Sequence, residues 1–382
     1  MARSPAKASK SKSTRKYRWR RQVVGIARAR RRIRRSAPSG ARYVVGLFAI
    51  IGIVTGYILW RSPSLLPVDP MPVKFFQIST GTPGGTYFTV GRTLAAAISR
   101  PPGAEPCEDG GPCGVTGLIA IAKAAPGSVA NIRSISSGRI DSALAQADIA
   151  AWAYKGQRMF RRSGRVSQLR AIASLYPEAV HLVAAKQANI TSVSDLRRLR
   201  VAIGKRGSGT RTDALLILRS FNIRPKQLKL VEVNAPQAAD MLLQGKLDAF
   251  FVVAGTPVAV IADLIERDVA NLVPIAGKRI KTLLKRNNFF LPHTIDAGIY
   301  PGQAEVETVS VRALWVTSAQ TSNRLVKQIT SALWDKANRP LLDQAHAKTK
   351  LMSIKSALNG VPIPLHEGAK AYYREMGLLP GG

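Results

Sequence analysis

The feature that most constrains this chain is a strand–glycine turn–helix element that occurs twice. In Val201-Ala-Ile-Gly-Lys-Arg-Gly-Ser-Gly-Thr-Arg-Thr-Asp213, a short apolar run is followed by glycines at 204, 207 and 209. Apolar residues then recur at helical spacing through Thr212–Ser220. The earlier copy is Phe75-Phe-Gln-Ile-Ser-Thr-Gly-Thr-Pro-Gly-Gly-Thr-Tyr87, leading into a helix over Val90–Ile98. Such an order gathers the unpaired N–H groups of a helix start at one point, which suits a small anion.

Each loop is followed by a second repeated element. The first is Asn131-Ile-Arg-Ser-Ile-Ser-Ser-Gly-Arg-Ile-Asp-Ser-Ala-Leu-Ala-Gln146, the second Ala239-Asp-Met-Leu-Leu-Gln-Gly-Lys-Leu-Asp-Ala-Phe-Phe-Val-Val253. Both read as helix, glycine stop, basic residue, Ile or Leu, Asp, then a buried strand. Asp141 and Asp248 therefore hold equivalent places, which favours a role at the start of a strand over a catalytic carboxylate pair. Two similar α/β units, each offering a helix N-terminus, predict a cleft for a small ligand between two lobes.

Charge is unevenly spread. The 382 residues carry a net +35, but residues 1–42 hold sixteen Lys or Arg and no acid, and without them +19 remains. Tyr43–Trp60 then has no charged residue, with Arg42 and Arg61 on either side. As a helix it would be about 27 Å long, near the hydrocarbon thickness of a bilayer. It is longer than the core of a cleaved signal peptide and lacks an Ala-x-Ala site. The expectation is an uncleaved anchor, with the basic tail in the cytoplasm and the body outside the inner membrane. The tail is read as a disordered segment resting on anionic lipid; nucleic acid is not expected, since no fold supports base readout. Residues 61–72 contain four prolines and read as a semi-rigid linker.

Cys107 and Cys113 are the only cysteines, in a turn-rich insertion, and outside the membrane they predict a disulfide. A metal is not expected, because His181, His293, His346 and His366 are far apart in sequence. Nor is a cofactor. Gly204-Lys-Arg-Gly-Ser-Gly209 has P-loop glycine spacing, but Thr210-Arg211 stands where Lys-Ser/Thr is required. No dinucleotide fingerprint, G-x-S-x-G elbow or H-E-x-x-H motif is present. The reading is binding without chemistry.

Further along, a family pattern emerges. Its elements are Gly84-Gly-Thr-Tyr-Phe-Thr-Val-Gly91, Gly127-Ser-Val-Ala-Asn131, the Gly138–Asp148 segment, Ala173-Ser-Leu-Tyr-Pro177 and Gly207-Ser-Gly-Thr-Arg211. Gly245-Lys-Leu-Asp-Ala-Phe-Phe251, Ala254-Gly-Thr-Pro257, Ile299-Tyr-Pro-Gly-Gln303 and Pro364-Leu-His-Glu-Gly-Ala369 follow in order. From about Phe75 to the end, the chain resembles the TAXI group of solute-binding subunits of tripartite ATP-independent periplasmic (TRAP) transporters. The resemblance implies a two-lobed α/β fold of the type II periplasmic-binding-protein kind; the one N-terminal transmembrane helix expected from the uncharged run is a departure from that family. It also implies capture of a small carboxylate, an organic acid or amino acid, for a TRAP permease. The site it implies is Gly85, Thr86, Tyr87, Ser128, Asn131, Gln146, Ser208, Gly209, Thr210 and Arg211. For Arg211 a bidentate clamp and a solvated first-turn arginine remain equally open; Tyr87 either stacks on the ligand or packs the helix. Ser128 and Asn131 could instead cap a helix and sit on an exposed face. His366 is read as a structural contact.

Residues 73–179 with 308–382 form the expected first lobe and 180–307 the second, hinged near Tyr176–His181 and Glu305–Val311. A tethered receptor with no transport role is the alternative. An enzyme on the same scaffold is disfavoured by the missing nucleophile–base pair.

Overall fold

A computed structural model of the chain describes residues 40–61, 73–109 and 113–380. Most of the basic tail and of the proline-rich linker lies outside these residues. The chain divides into two compact units, 1–69 and 70–382. In the first, helix α1 (Gly40–Arg61) runs for 22 residues. Val44, Val45, Leu47, Phe48, Ile50, Ile53 and Trp60 of α1 are all exposed and fall on every side of the helix, so apolar side chains face outward around its whole circumference. Among the described residues no helix is long and apolar enough to cross a membrane. The span expected at Tyr43–Trp60 is helical and lies within α1, but it is not found as a membrane-crossing helix.

The second unit is built on one mixed sheet. Its elements, in order, are β1 (Lys74–Ser79), α2 (Thr86–Ile98), β2 (Ser99–Arg100), β3 (Val115–Thr116), β4 (Leu118–Lys123), α3 (Ser128–Ser136), β5 (Ser142–Gln146) and α4 (Ala147–Lys155). Then come β6 (Leu169–Ala185), β7 (Arg200–Ala202), α5 (Gly209–Ser220), β8 (Lys229–Val231), α6 (Ala235–Leu243), β9 (Ala249–Ala254) and α7 (Ala259–Glu266). The last part holds β10 (Ala270–Leu272), α8 (Lys278–Arg286), β11 (Leu291–Ile295), β12 (Val306–Ser318), α9 (Asn323–Trp334), α10 (Arg339–Ala345), α11 (Ala347–Lys350) and α12 (Glu367–Glu375). The strand order is β3-β2-β4-β1-β5-β12-β6-β9-β7-β8, with β10 on β6 and β11 on β12.

Two strands carry the chain between halves. β6 is 17 residues long, which at about 3.3 Å per residue is enough to traverse both. Residues 169–179 of β6 pair antiparallel with β12, and residues 179–184 pair with β9. β6 is buried along both faces and accordingly reads as an almost unbroken apolar run. The pairing register slips between Ala313 and Leu314, opposite Tyr176 and Ser174, so the ladder is interrupted near the crossing.

The duplication seen in the sequence is a duplication of structure. β1 lies parallel to β4 and β5, and β7 lies parallel to β8 and β9. α3 and α6 end at Gly138 and Gly245, whose φ angles are +69° and +64°. That left-handed conformation is tolerated by glycine and stops each helix. Three residues on, Asp141 accepts the N–H of Gln77 on β1 at 2.8 Å. In the other copy Asp248 accepts the N–H of Arg200 on β7 at 2.6 Å. Each carboxylate thus ties the start of one strand to its parallel neighbour, and neither enters a catalytic pair.

Separate cores support the halves. Phe76, Ile78, Leu94, Tyr176, Trp315 and Ile329 belong to one cluster, and Val201, Ile203, Ile217, Phe251 and Phe290 to another. Each fully buried side chain of this size contributes about 1.5–3 kcal/mol. Cys107 and Cys113 are joined in a disulfide, with 4.8 Å between their Cα atoms.

Candidate functional site

Three helix starts open onto one cleft. The first glycine loop (Gly81, Gly84, Gly85) leads into α2, Gly127 precedes α3, and Ser208 caps α5. Residues from all three, with Gln146, Glu178 and residues 251–254 of β9, line a cavity of about 110 Å³. The N–H groups of a helix's first turn have no acceptor within the helix, so each start presents donors and the positive end of a dipole.

The halves touch at the floor of the cleft. Ala130 of α3 donates its N–H to the carbonyl of Gly207 at 3.0 Å. A Cβ on Gly127 would lie 3.3 Å from the Cα of Ser208, and one on Gly209 would fall 1.5 Å from Gln146 Oε1. Only a glycine at 209 leaves room for that amide. Higher up, Thr86 donates its hydroxyl to the carbonyl of Gly255 at 3.3 Å.

Of the ten site residues expected from the sequence, Gly85, Thr86, Tyr87, Ser128, Gln146, Ser208, Gly209 and Thr210 line the cavity. Asn131 and Arg211 do not. Asn131 is wholly buried: its Oδ1 accepts from Ser79 Oγ at 2.8 Å, and its Nδ2 donates to the carbonyls of Thr80 and Leu144 at 2.7 and 2.8 Å. It braces β1 against β5 and is neither an exposed face nor a cap. Arg211 is turned to Glu232, with Nε 2.6 Å from Oε1, so it is neither a clamp in the cleft nor a free arginine. Arg206 also reaches Glu232, and its hydrogen bond is the main reason that carboxyl is held below the usual range.

Several hydroxyls expected to face a ligand are occupied. Ser208 donates to the carbonyl of Lys205 at 2.7 Å while accepting the N–H of Arg211 at 3.1 Å. Ser128 accepts the N–H of Gln146 at 3.1 Å. Thr210 accepts the N–H of Val253 at 3.2 Å, which leaves its proton to donate. The cleft's donors are therefore mainly backbone N–H groups, joined by the Thr210 hydroxyl and the Gln146 amide. His366 caps α12, accepting the N–H of Gly368, and its other ring nitrogen meets the carbonyl of Thr321 at 3.0 Å.

Sequence reasoning missed the acids beneath the cleft. Glu178 on β6 is 1% exposed and accepts the hydroxyl proton of Tyr87 at 2.7 Å, so Tyr87 is anchored from below. Burial pushes the Glu178 carboxyl up to about 8, with the charge of Asp148 adding to the rise, while the Tyr87 bond opposes it. Asp148 on α4 and Asp213 on α5 are completely buried. A clue was present: Asp148 and Asp213 stand in apolar helical runs with no basic residue four positions away. Among the described residues, no group of three or more His, Cys, Asp or Glu side chains could hold a metal ion.

Two lobes on shared strands, with helix starts facing across a cleft, define the periplasmic-binding-protein-like class of α/β fold. A model of the NMT1-like family matches residues 78–377, and the chain belongs to that family. Solved structures with a similar course include the alkanesulfonate-binding protein SsuA from Xanthomonas axonopodis pv. citri bound to MOPS. It is 14% identical, with 81% of this chain and 96% of that one covered and a TM-score of 0.42. MatC from Rhodopseudomonas palustris with bound malate is 15% identical over 81% and 98% of the two chains, with a TM-score of 0.48. PhnD1 from Prochlorococcus marinus in complex with methylphosphonate is 12% identical over 80% and 99%, with a TM-score of 0.44. At these scores the likenesses decide nothing about the site.

Proposed function

We propose that this is an extracytoplasmic solute-binding protein that captures a small carboxylate between its lobes and delivers it to a TRAP-type permease. One observation carries the reading: helix starts from both halves, whose first-turn N–H groups have no acceptor within their own helix, line a single cavity of about 110 Å³. Backbone N–H groups of Thr86, Tyr87, Gly209 and Thr210 would hold the carboxylate, with Gln146 and the Thr210 hydroxyl setting its orientation. Membership of the NMT1-like family and the motif order shared with the TAXI group support the same reading.

The proposal includes a membrane anchor at Tyr43–Trp60. It rests on eighteen residues without a charge and on a helix whose apolar side chains are exposed all round. The body would then be periplasmic and the basic tail cytoplasmic, against anionic lipid. The lobes would divide near residues 179 and 308, within β6 and β12. Native mass spectrometry of the chain, purified without added solute, tests the capture reading. One co-purified small acid, lost on denaturation, is expected. Protein that carries no small molecule and binds none from a panel of organic and amino acids would refute it.

A further inference from the structure

Beneath the cleft lies a group of polar atoms that capture of a carboxylate does not use. Asp148 on α4 of one half and Asp213 on α5 of the other are both 0% exposed. Gln146, two residues before Asp148, packs against Gly209, one helical turn before Asp213. The two acids and Gln146 act on one another electrostatically without a hydrogen bond of ordinary geometry to either carboxylate. All four of their carboxyl oxygens lack a hydrogen-bond partner if both are ionised, as do Gln146 Oε1 and the Tyr176 hydroxyl. Two buried carboxylates side by side repel, and each would carry the full cost of leaving water. One proton placed between them turns the repulsion into an O–H···O⁻ bond and satisfies an oxygen on each side.

Among the described residues no neighbouring cation offers another answer. The groups acting on the pair are Glu178 on β6, the first-turn N–H groups of α4, and Gln146. Tyr87 of α2 and Tyr176 of β6 face Glu178. Arg211, two residues before Asp213, is held by Glu232, and Arg158 lies over the Trp152 ring 5.3 Å from its centroid. A metal ion is not favoured, since no described cluster of ligands could hold one.

We propose that Asp148 and Asp213 form a proton-binding site that exists only when the two halves meet, so that closing the cleft takes up one proton from solvent. Burial holds both carboxyls above the ordinary carboxylate range when the halves are together; the charge and hydrogen bonding of Asp148 raise Asp213 further, while hydrogen bonding to Asp213 partly offsets the rise at Asp148. Apart, each is an ordinary solvated aspartate, which titrates near 4. A closed-state value raised in this way stabilises closure fully below the open-state value. The stabilisation is lost as pH rises through the closed-state value.

The inference rests on the capture reading only for what closure accomplishes, and its test needs no solute. Both native cysteines are in a disulfide, so dyes can be placed at Arg139→Cys and Lys226→Cys, one exposed site on each half. Single-molecule energy transfer on the full chain in detergent, after exhaustive dialysis, then gives the closed-to-open ratio. Between pH 5 and 8 that ratio should fall toward about tenfold per pH unit in the wild type, the slope for one proton. Asp213→Asn supplies a fixed N–H in place of the proton, and its ratio should not change with pH. Asp148→Asn should do the same and serves if the first variant does not fold.

Three outcomes would overturn the proposal. One is a flat wild-type ratio, which decides even if neither variant folds. Another is a slope that survives in the Asn variants and disappears only in Glu178→Gln. The third is a ratio set by replacing choline with sodium at constant pH, which would assign the pair to a cation. None of these touches the co-purified acid, so the two readings can fail separately.

Discussion

Gly209 begins α5, where an alanine would ordinarily favour the helix by up to about 1 kcal/mol. Here its methyl group would overlap Gln146 Oε1. Gly209→Ala should therefore weaken solute binding at least tenfold, about 1.4 kcal/mol, while the cores of the separate halves stay intact. Calorimetric titration with the co-purified acid, alongside a thermal melt, checks both. Asn131→Ala should behave the other way. It strands the Ser79 hydroxyl and two strand carbonyls inside the protein, so a loss of about 3 kcal/mol in folding stability is expected. A denaturant midpoint measures that loss. Ser208→Ala removes the α5 cap and should cost about 1 kcal/mol of stability. Because its hydroxyl is already committed to Lys205 and Arg211, it is not counted among the principal ligand contacts.

The repeated elements show what local sequence can convey. Glycine turns, the Gly138 and Gly245 helix stops and the strands after them were legible because each depends on neighbours within a few residues. Asp248 illustrates the point with a pH signature. Its carboxyl is held below the usual range first by the Arg200 guanidinium and also by the Arg200 N–H. A depressed folded-state value means that the stabilisation is present above the unfolded value, near 4, and drains away as pH falls through the folded one. Asp248→Asn should thus cost about 1–2 kcal/mol at pH 7, with the gap to wild type closing below about pH 4. Urea unfolding at pH 7 and pH 3 compares the two. The illegible contacts span long separations. Arg211 meets a glutamate 21 residues away, and Glu178 meets a tyrosine 91 residues away. Asp148 and Asp213 sit on different helices in different halves, so no spacing rule links them. Residue type proposed the hydroxyl ligands, but the commitment of the Ser208 and Thr86 protons to the carbonyls of Lys205 and Gly255 depends on how the loops fold.

For the molecule as a whole, the account joins an apolar helix to a two-lobed body. If Tyr43–Trp60 is a membrane anchor, the full chain should sediment with membranes and resist alkaline carbonate. A chain beginning at residue 73 should be released. Recovery of the full chain in the soluble fraction would remove the anchor without affecting the cleft. The cleft itself is tested most directly by a crystal structure of the protein with its co-purified acid. The account predicts carboxylate oxygens about 2.7–3.2 Å from N–H groups at the starts of both α2 and α5, above Gln146. A solute held by one half alone, or bound away from the two glycine loops, would contradict it.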